Sequence, residues 1–134
     1  MARSDGRRAE LEAQGIPTVY GDFLKPDSLR AALTGVKKAF LVCTPDERLV
    51  PCETNFIAAA RAASVELIVK CGAHSAHPES ESPNLRFHAE VEATLHRSGV
   101  PYTVIRPHGF MQTFFWMSAP MVLQHGILSY PAGD

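Results

Sequence analysis

The chain has 134 residues, enough for one domain with a substantial core. Its net charge of −1 gives none of the basic footprint that binding to nucleic acid or an anionic membrane requires. No apolar run approaches the roughly 20 residues of a membrane-spanning helix, and the N-terminus lacks the apolar core of a signal peptide.

The first 15 residues are charged and alanine-rich, and Arg8–Gln14 predicts a short exposed helix closed by Gly15. Ile16–Tyr20 predicts a short strand that ends at Gly21-Asp22. Pro26 suits the first turn of a second helix, with Asp27 at its positive end and Leu29, Ala32 and Leu33 as its apolar stripe. The stretch Lys37–Pro45, KKAFLVCTP, organises the rest. Its unbroken apolar run, stopped by Thr44-Pro45, predicts a strand buried on both faces, as in a parallel sheet.

Pro51 opens the next predicted helix, in which Phe56, Ile57, Ala60 and Ala63 recur at helical spacing. Val65–Cys71 is the following strand, broken by Gly72, and residues 73–84 read as a long loop rich in Ser, His, Pro and Glu. A helix over 86–98 carries Phe87, Val91 and Leu95 in line and is capped by Gly99. Val100–Arg106 is a further strand, a Met- and Phe-rich helix spans roughly 110–124, and Gly126–Tyr130 suggests a short final strand. Strands alternating with helices at this spacing define an α/β chain with a parallel sheet and helical crossovers.

Three cysteines, Cys43, Cys52 and Cys71, stand at wide spacings with no CxxC pair, which suits a reduced, cytoplasmic compartment. His74, His77 and His88 lack the tight spacing and Cys partners of a zinc site, so no metal is expected. Ser75 is not in a Gly-x-Ser-x-Gly elbow, which leaves no case for a serine hydrolase.

Taken in order, Gly21–Val36, Phe40–Pro45, Ser98–Pro107 and Gly109–Thr113 resemble the NmrA-like proteins, atypical members of the short-chain dehydrogenase/reductase superfamily. The resemblance covers nearly the whole chain and implies a Rossmann-like fold that binds NAD(P). It also implies that the first two strands and the glycine-rich turn, which holds pyrophosphate at a helix N-terminus, are lacking here. Both chain ends read as cut, so residues 1–134 are expected to be a partial NAD(P)-binding domain. The missing strands would lie between Thr18–Tyr20 and Lys37–Cys43, leaving a gap there unless 18–20 pairs directly with 37–43.

Carried onto this sequence, the resemblance makes Asp22 an acceptor for the adenine amino group and Phe23 a flat face for its ring. Thr44 and Pro45 would lie along the adenosine, and Gly72 beside the cofactor. Arg3 would meet the ribose, where a guanidinium favours the 2′-phosphate of NADP over NAD. The superfamily's Tyr-x-x-x-Lys pair falls on Asn84 and His88. Asn84 cannot act as an acid, whereas His88 can exchange a proton near neutral pH or contact cofactor or substrate. Phe110 and Met111 would border a substrate pocket. The resemblance thus implies an NADPH-dependent reductase of small carbonyl or quinone-like molecules. The alternatives are a non-catalytic dinucleotide sensor that regulates a partner protein, and a truncated chain that binds no cofactor.

Overall fold

The computed structural model describes residues 1–127, and within them it leaves the side chains of Phe114 and Met117 undescribed. Helix α1 (Asp5–Ala13) starts at Ser4, whose Oγ accepts from Arg7 N at 3.3 Å, and closes on Gly15 at φ +76°. Helix α2 (Pro26–Ala32) begins on its proline, and Leu29 is its fully buried residue. Strand β1 (Lys38–Leu41), helix α3 (Leu49–Ala62), strand β2 (Leu67–Cys71), helix α4 (Pro83–Ser98) and strand β3 (Tyr102–Ile105) then alternate.

The three strands form one sheet in the order β1-β2-β3, all parallel, with Phe40 opposite Val69 and Val69 opposite Thr103. This is the predicted α/β, Rossmann-like arrangement. Each crossover steps to the next strand in the same direction, so right-handed connections place α3 and α4 on one face. The core lies there, formed by Leu41, Ile68, Phe56, Ile57, Ala60, Val91 and Leu95, with Leu29 of α2 and Leu33 just past its end completing it against α3.

The period-2 alternation of the strands decides what the other face shows. Leu41, Ile68 and Lys70 point to the helices and are fully buried, whereas Phe40 is 61% exposed and Val42 55%. The expectation that Phe40–Cys43 is buried on both faces is therefore corrected: among the described residues nothing covers that side of β1. Its apolar run has the composition of a two-sided buried strand but only one layer of helices against it.

Ile16–Tyr20 is not a strand either. Tyr20 makes a single parallel bridge to Ala2, in which Ala2 N donates to Val19 O at 2.9 Å and Gly21 N to Ala2 O at 3.1 Å. Two extended segments meet at one residue each, too few for a ladder. Direct pairing of 18–20 with β1 does not occur, since β1 is bonded to β2 alone among the described strands. Two helices start earlier than expected, α3 at Leu49 and α4 at Pro83. A proline is tolerated in a first turn because its missing N–H is unpaired there anyway. The expected Met- and Phe-rich helix is instead α5 (Met111–Thr113), a π-helical turn at Phe114–Ser118, and α6 (Ala119–His125), which pack mainly on one another. The suggested strand at Gly126–Tyr130 falls largely outside the described residues.

Candidate active site at the carboxyl edge of the sheet

Because the strands are parallel, the segments leaving β1, β2 and β3 all emerge at one edge, where open α/β sheets hold ligands. The sheet therefore gathers Thr44-Pro45, Gly72 and Arg106-Pro107, which are far apart in sequence. His74 N donates to Pro107 O at 2.9 Å and Gly72 N to Ile105 O at 2.8 Å, tying the second and third of these segments together. Thr44 and Pro45 are exposed.

Asp22 and Phe23 are held against α3. Asn55 Nδ2 donates to Phe23 O at 2.9 Å, and the rings of Phe23 and Phe56 lie 5.4 Å apart, so the loop is fastened to the core. The Asp22 carboxylate accepts from Leu24 N through Oδ1 at 3.0 Å, a local turn that leaves Oδ2 without a hydrogen bond among the described residues. Arg3 is exposed and has no acidic partner among the described residues, whereas Arg7 pairs with Glu10 and Arg8 with Asp5 and Glu12.

Gly72 is needed for packing. A Cβ there would stand 2.8 Å from Glu92 Oε1 and 2.9 Å from Val104 Cγ1. Glu92 in turn holds Arg106 at 2.5 Å, so α4 and the end of β3 close over the glycine. Asn84 lies exposed in the first turn of α4, and His88 is buried one turn later. Phe110 and Met111 are both exposed, so the described residues build no closed pocket around them. His74, His77 and His88 do not assemble: among the described residues no group of three or more His, Cys, Asp or Glu side chains is placed to hold a metal ion.

The surroundings of His88 contain two residues that the sequence reading passed over. Lys70 and Glu53 have no solvent exposure at all and form an ion pair, and Lys70 Nζ also lies 3.5 Å from His88 Nδ1. Both were marked in the sequence. Lys70 shares the buried side of its strand with Ile68, and Glu53 sits three and four residues before Phe56 and Ile57 on the apolar stripe of α3. Burial, partly offset by Lys70, raises the Glu53 carboxyl above its ordinary value, and burial followed by the Lys70 charge lowers His88, with Glu92 opposing.

Nearby, Cys52 is buried while Cys43 and Cys71 are only half-buried, because both lie where strands run out of the core. Burial, together with the neighbouring Cys52 and Glu53, pushes the Cys43 thiol up to about 11, which keeps it protonated and unreactive at neutral pH. No helix among the described residues is long and apolar enough to cross a membrane.

A family model described as NAD(P)H-binding matches residues 1–113. An NAD(P)H azoreductase of Xenophilus azovorans is 32% identical over the whole of this chain and 46% of its own length. Quinone oxidoreductase 2 of Escherichia coli strain K12 has the same identity and coverage. The crystal structure of the NADPH-dependent E. coli quinone oxidoreductase complexed with NADPH superposes with a TM-score of 0.79, at 33% identity, over 92% of this chain and 44% of that one. The chain thus spans about half the length of the relatives it matches.

Proposed function

This chain belongs to the NAD(P)H-binding family, and we propose that it forms part of an NmrA-like, NADPH-dependent reductase acting on small quinone-like or other carbonyl molecules. The observation that carries this reading is the convergence of Thr44-Pro45, Gly72 and Arg106 at one sheet edge, with His88 packed beneath it. The azoreductase and quinone oxidoreductase relatives, at 32% identity, support the same chemistry.

The residues present fit the adenosine side of a dinucleotide. Among the described residues Asp22 keeps one carboxylate oxygen without a hydrogen bond, which would suit the adenine amino group, Thr44 and Pro45 offer an exposed edge, and the Arg3 guanidinium has no acidic partner and suits a 2′-phosphate. Phe23 already leans on Phe56, so it would offer only its outer face to the base. A glycine-rich turn for the pyrophosphate is not in the sequence, so the fit is to the adenosine side and to His88. When bound, a reduced nicotinamide supplies the hydride. This chain's own contribution is to bind, orient and offer a hydrogen-bond donor from His88. Phe110 and Met111 would face the substrate.

Titration of the chain with NADPH and with NADH, followed by fluorescence, and NADPH oxidation against a panel of quinones test this reading. Binding that favours NADPH, with turnover of at least one quinone, is expected. Tight binding without turnover would support a dinucleotide sensor instead, and no binding would sink the cofactor assignment for these 134 residues.

A further inference from the structure

We propose that Lys70 is a positioning residue for His88: anchored by Glu53, its ammonium donates to His88 Nδ1 and holds the imidazole as the neutral tautomer with its proton on Nε2. The proposal rests on the reading of His88 as the group that meets cofactor or substrate.

The geometry leaves little choice. An ammonium has three donors and no acceptor, so a ring nitrogen 3.5 Å from it can bond only through a lone pair. Nδ1 therefore carries no proton while that contact holds, and a neutral ring must carry its proton on Nε2. Lys70 cannot turn away, because it is fully buried, ion-paired to Glu53 and also within 3.4 Å of Cys71 O. Among the described residues the buried side-chain nitrogen and oxygen atoms that lack a partner are Arg8 Nε and Glu53 Oε1. His88 Nε2 is not among them and has no hydrogen bond in the described structure. His88 as a whole is 7% exposed.

Charges reach His88 from each element packed around it. Lys70 comes from β2, Glu53 from α3 behind Lys70, and Glu92 from α4 itself, with Arg106 beyond β3 held on Glu92. Burial and the Lys70 charge oppose a second proton on the ring. The chemical consequence differs from an acid. A neutral imidazole gives up its N–H proton reluctantly, so His88 serves as a fixed hydrogen-bond donor to a carbonyl or anionic oxygen, one that does not change charge near neutral pH.

The test uses the full chain with its histidines labelled with ¹⁵N, long-range proton–nitrogen spectra of the rings, and His88→Gln to assign the signal. At pH 7 the wild type is expected to show His88 protonated on Nε2 only. The double variant Lys70→Met/Glu53→Leu removes the whole ion pair, leaving no buried charge uncompensated. It is expected to lose the single-tautomer signature, populate Nδ1–H, and shift the His88 titration upward. An unchanged tautomer and titration in that variant would overturn the proposal. If the double variant does not fold, the wild-type spectrum decides, since a proton on Nδ1 or a charged ring at pH 7 contradicts the proposed contact. None of these spectra needs a dinucleotide. Failure of NADPH to bind a chain that gives the expected spectra would sink the cofactor reading and leave the Lys70 assignment standing.

Discussion

Lys70 and Glu53 form an ion pair with no exposure to solvent on either side chain, joining the middle strand of the sheet to the helix that covers it. Removing one partner strands the other as an uncompensated buried charge, which typically costs about 3–5 kcal/mol, whereas replacing both with apolar groups is often neutral or better. Glu53→Leu alone is therefore expected to lower the denaturant midpoint sharply, and Lys70→Met/Glu53→Leu to recover most of that loss. Equilibrium urea unfolding of the two variants checks this. A single variant as stable as the wild type would contradict the pairing.

The lowered proton affinity of His88 makes stability depend on pH in a definite direction. A histidine whose folded-state pKa lies below the ordinary 6.5 is protonated more readily in the unfolded chain. Its contribution is fully present above about pH 6.5 and is lost as the pH falls through the folded value. Glu53 has the opposite sign: a raised carboxyl favours the folded state at low pH and loses that contribution as the pH rises. The acid-side loss in wild type should therefore be smaller in His88→Gln, as measured by unfolding midpoints between pH 7.5 and 5.5. An identical slope in both proteins would show that His88 is not shielded.

Gly72 should not tolerate a methyl group. A Cβ would meet Val104 Cγ1 at 2.9 Å and Glu92 Oε1 at 2.8 Å. The glutamate can swing aside only by giving up its pairing with Arg106, and the valine is stiff. Overpacking of this kind costs typically about 1–3 kcal/mol. Gly72→Ala is expected to fall in that range by thermal or urea unfolding, with Gly72→Ala/Val104→Ala recovering part of the loss.

The face of the sheet turned away from α3 and α4 exposes Phe40, Val42 and Ile105. Exposed apolar patches on a sheet promote association. Phe40→Thr places a β-branched residue suited to a strand on β1 and removes the most exposed member of the patch, so it should leave the unfolding free energy within about 0.5 kcal/mol of wild type and reduce concentration-dependent scattering. Light scattering over a concentration series provides the measurement. A large loss of stability would mean that Phe40 is covered in solution.

Much of the fold was legible because it follows from local pattern. The alternation of apolar runs with helical stripes, Gly99 as a left-handed cap and Pro26 at a helix start identified an α/β chain, and the family resemblance implied a Rossmann-like one. The candidate site was legible only in part, because Arg3, Asp22, Thr44 and Gly72 were named from resemblance to a family. The packing that occupies Gly72 is a contact with Glu92 and Val104, on segments distant in sequence.

By itself, then, the sequence determined the class and the parallel sheet, since periodicity is a property of neighbouring residues along the chain, and its resemblance to a known family pointed to NAD(P) binding. Only the tertiary structure decided which face of Lys37–Pro45 is covered, that Tyr20 meets Ala2 at a single bridge, and that Lys70 and Glu53 meet under the sheet beside His88. Those outcomes depend on which segments are brought together across 17 residues or more. The energy of a buried charge is set by the partner that packing supplies, and its position in the chain does not name that partner.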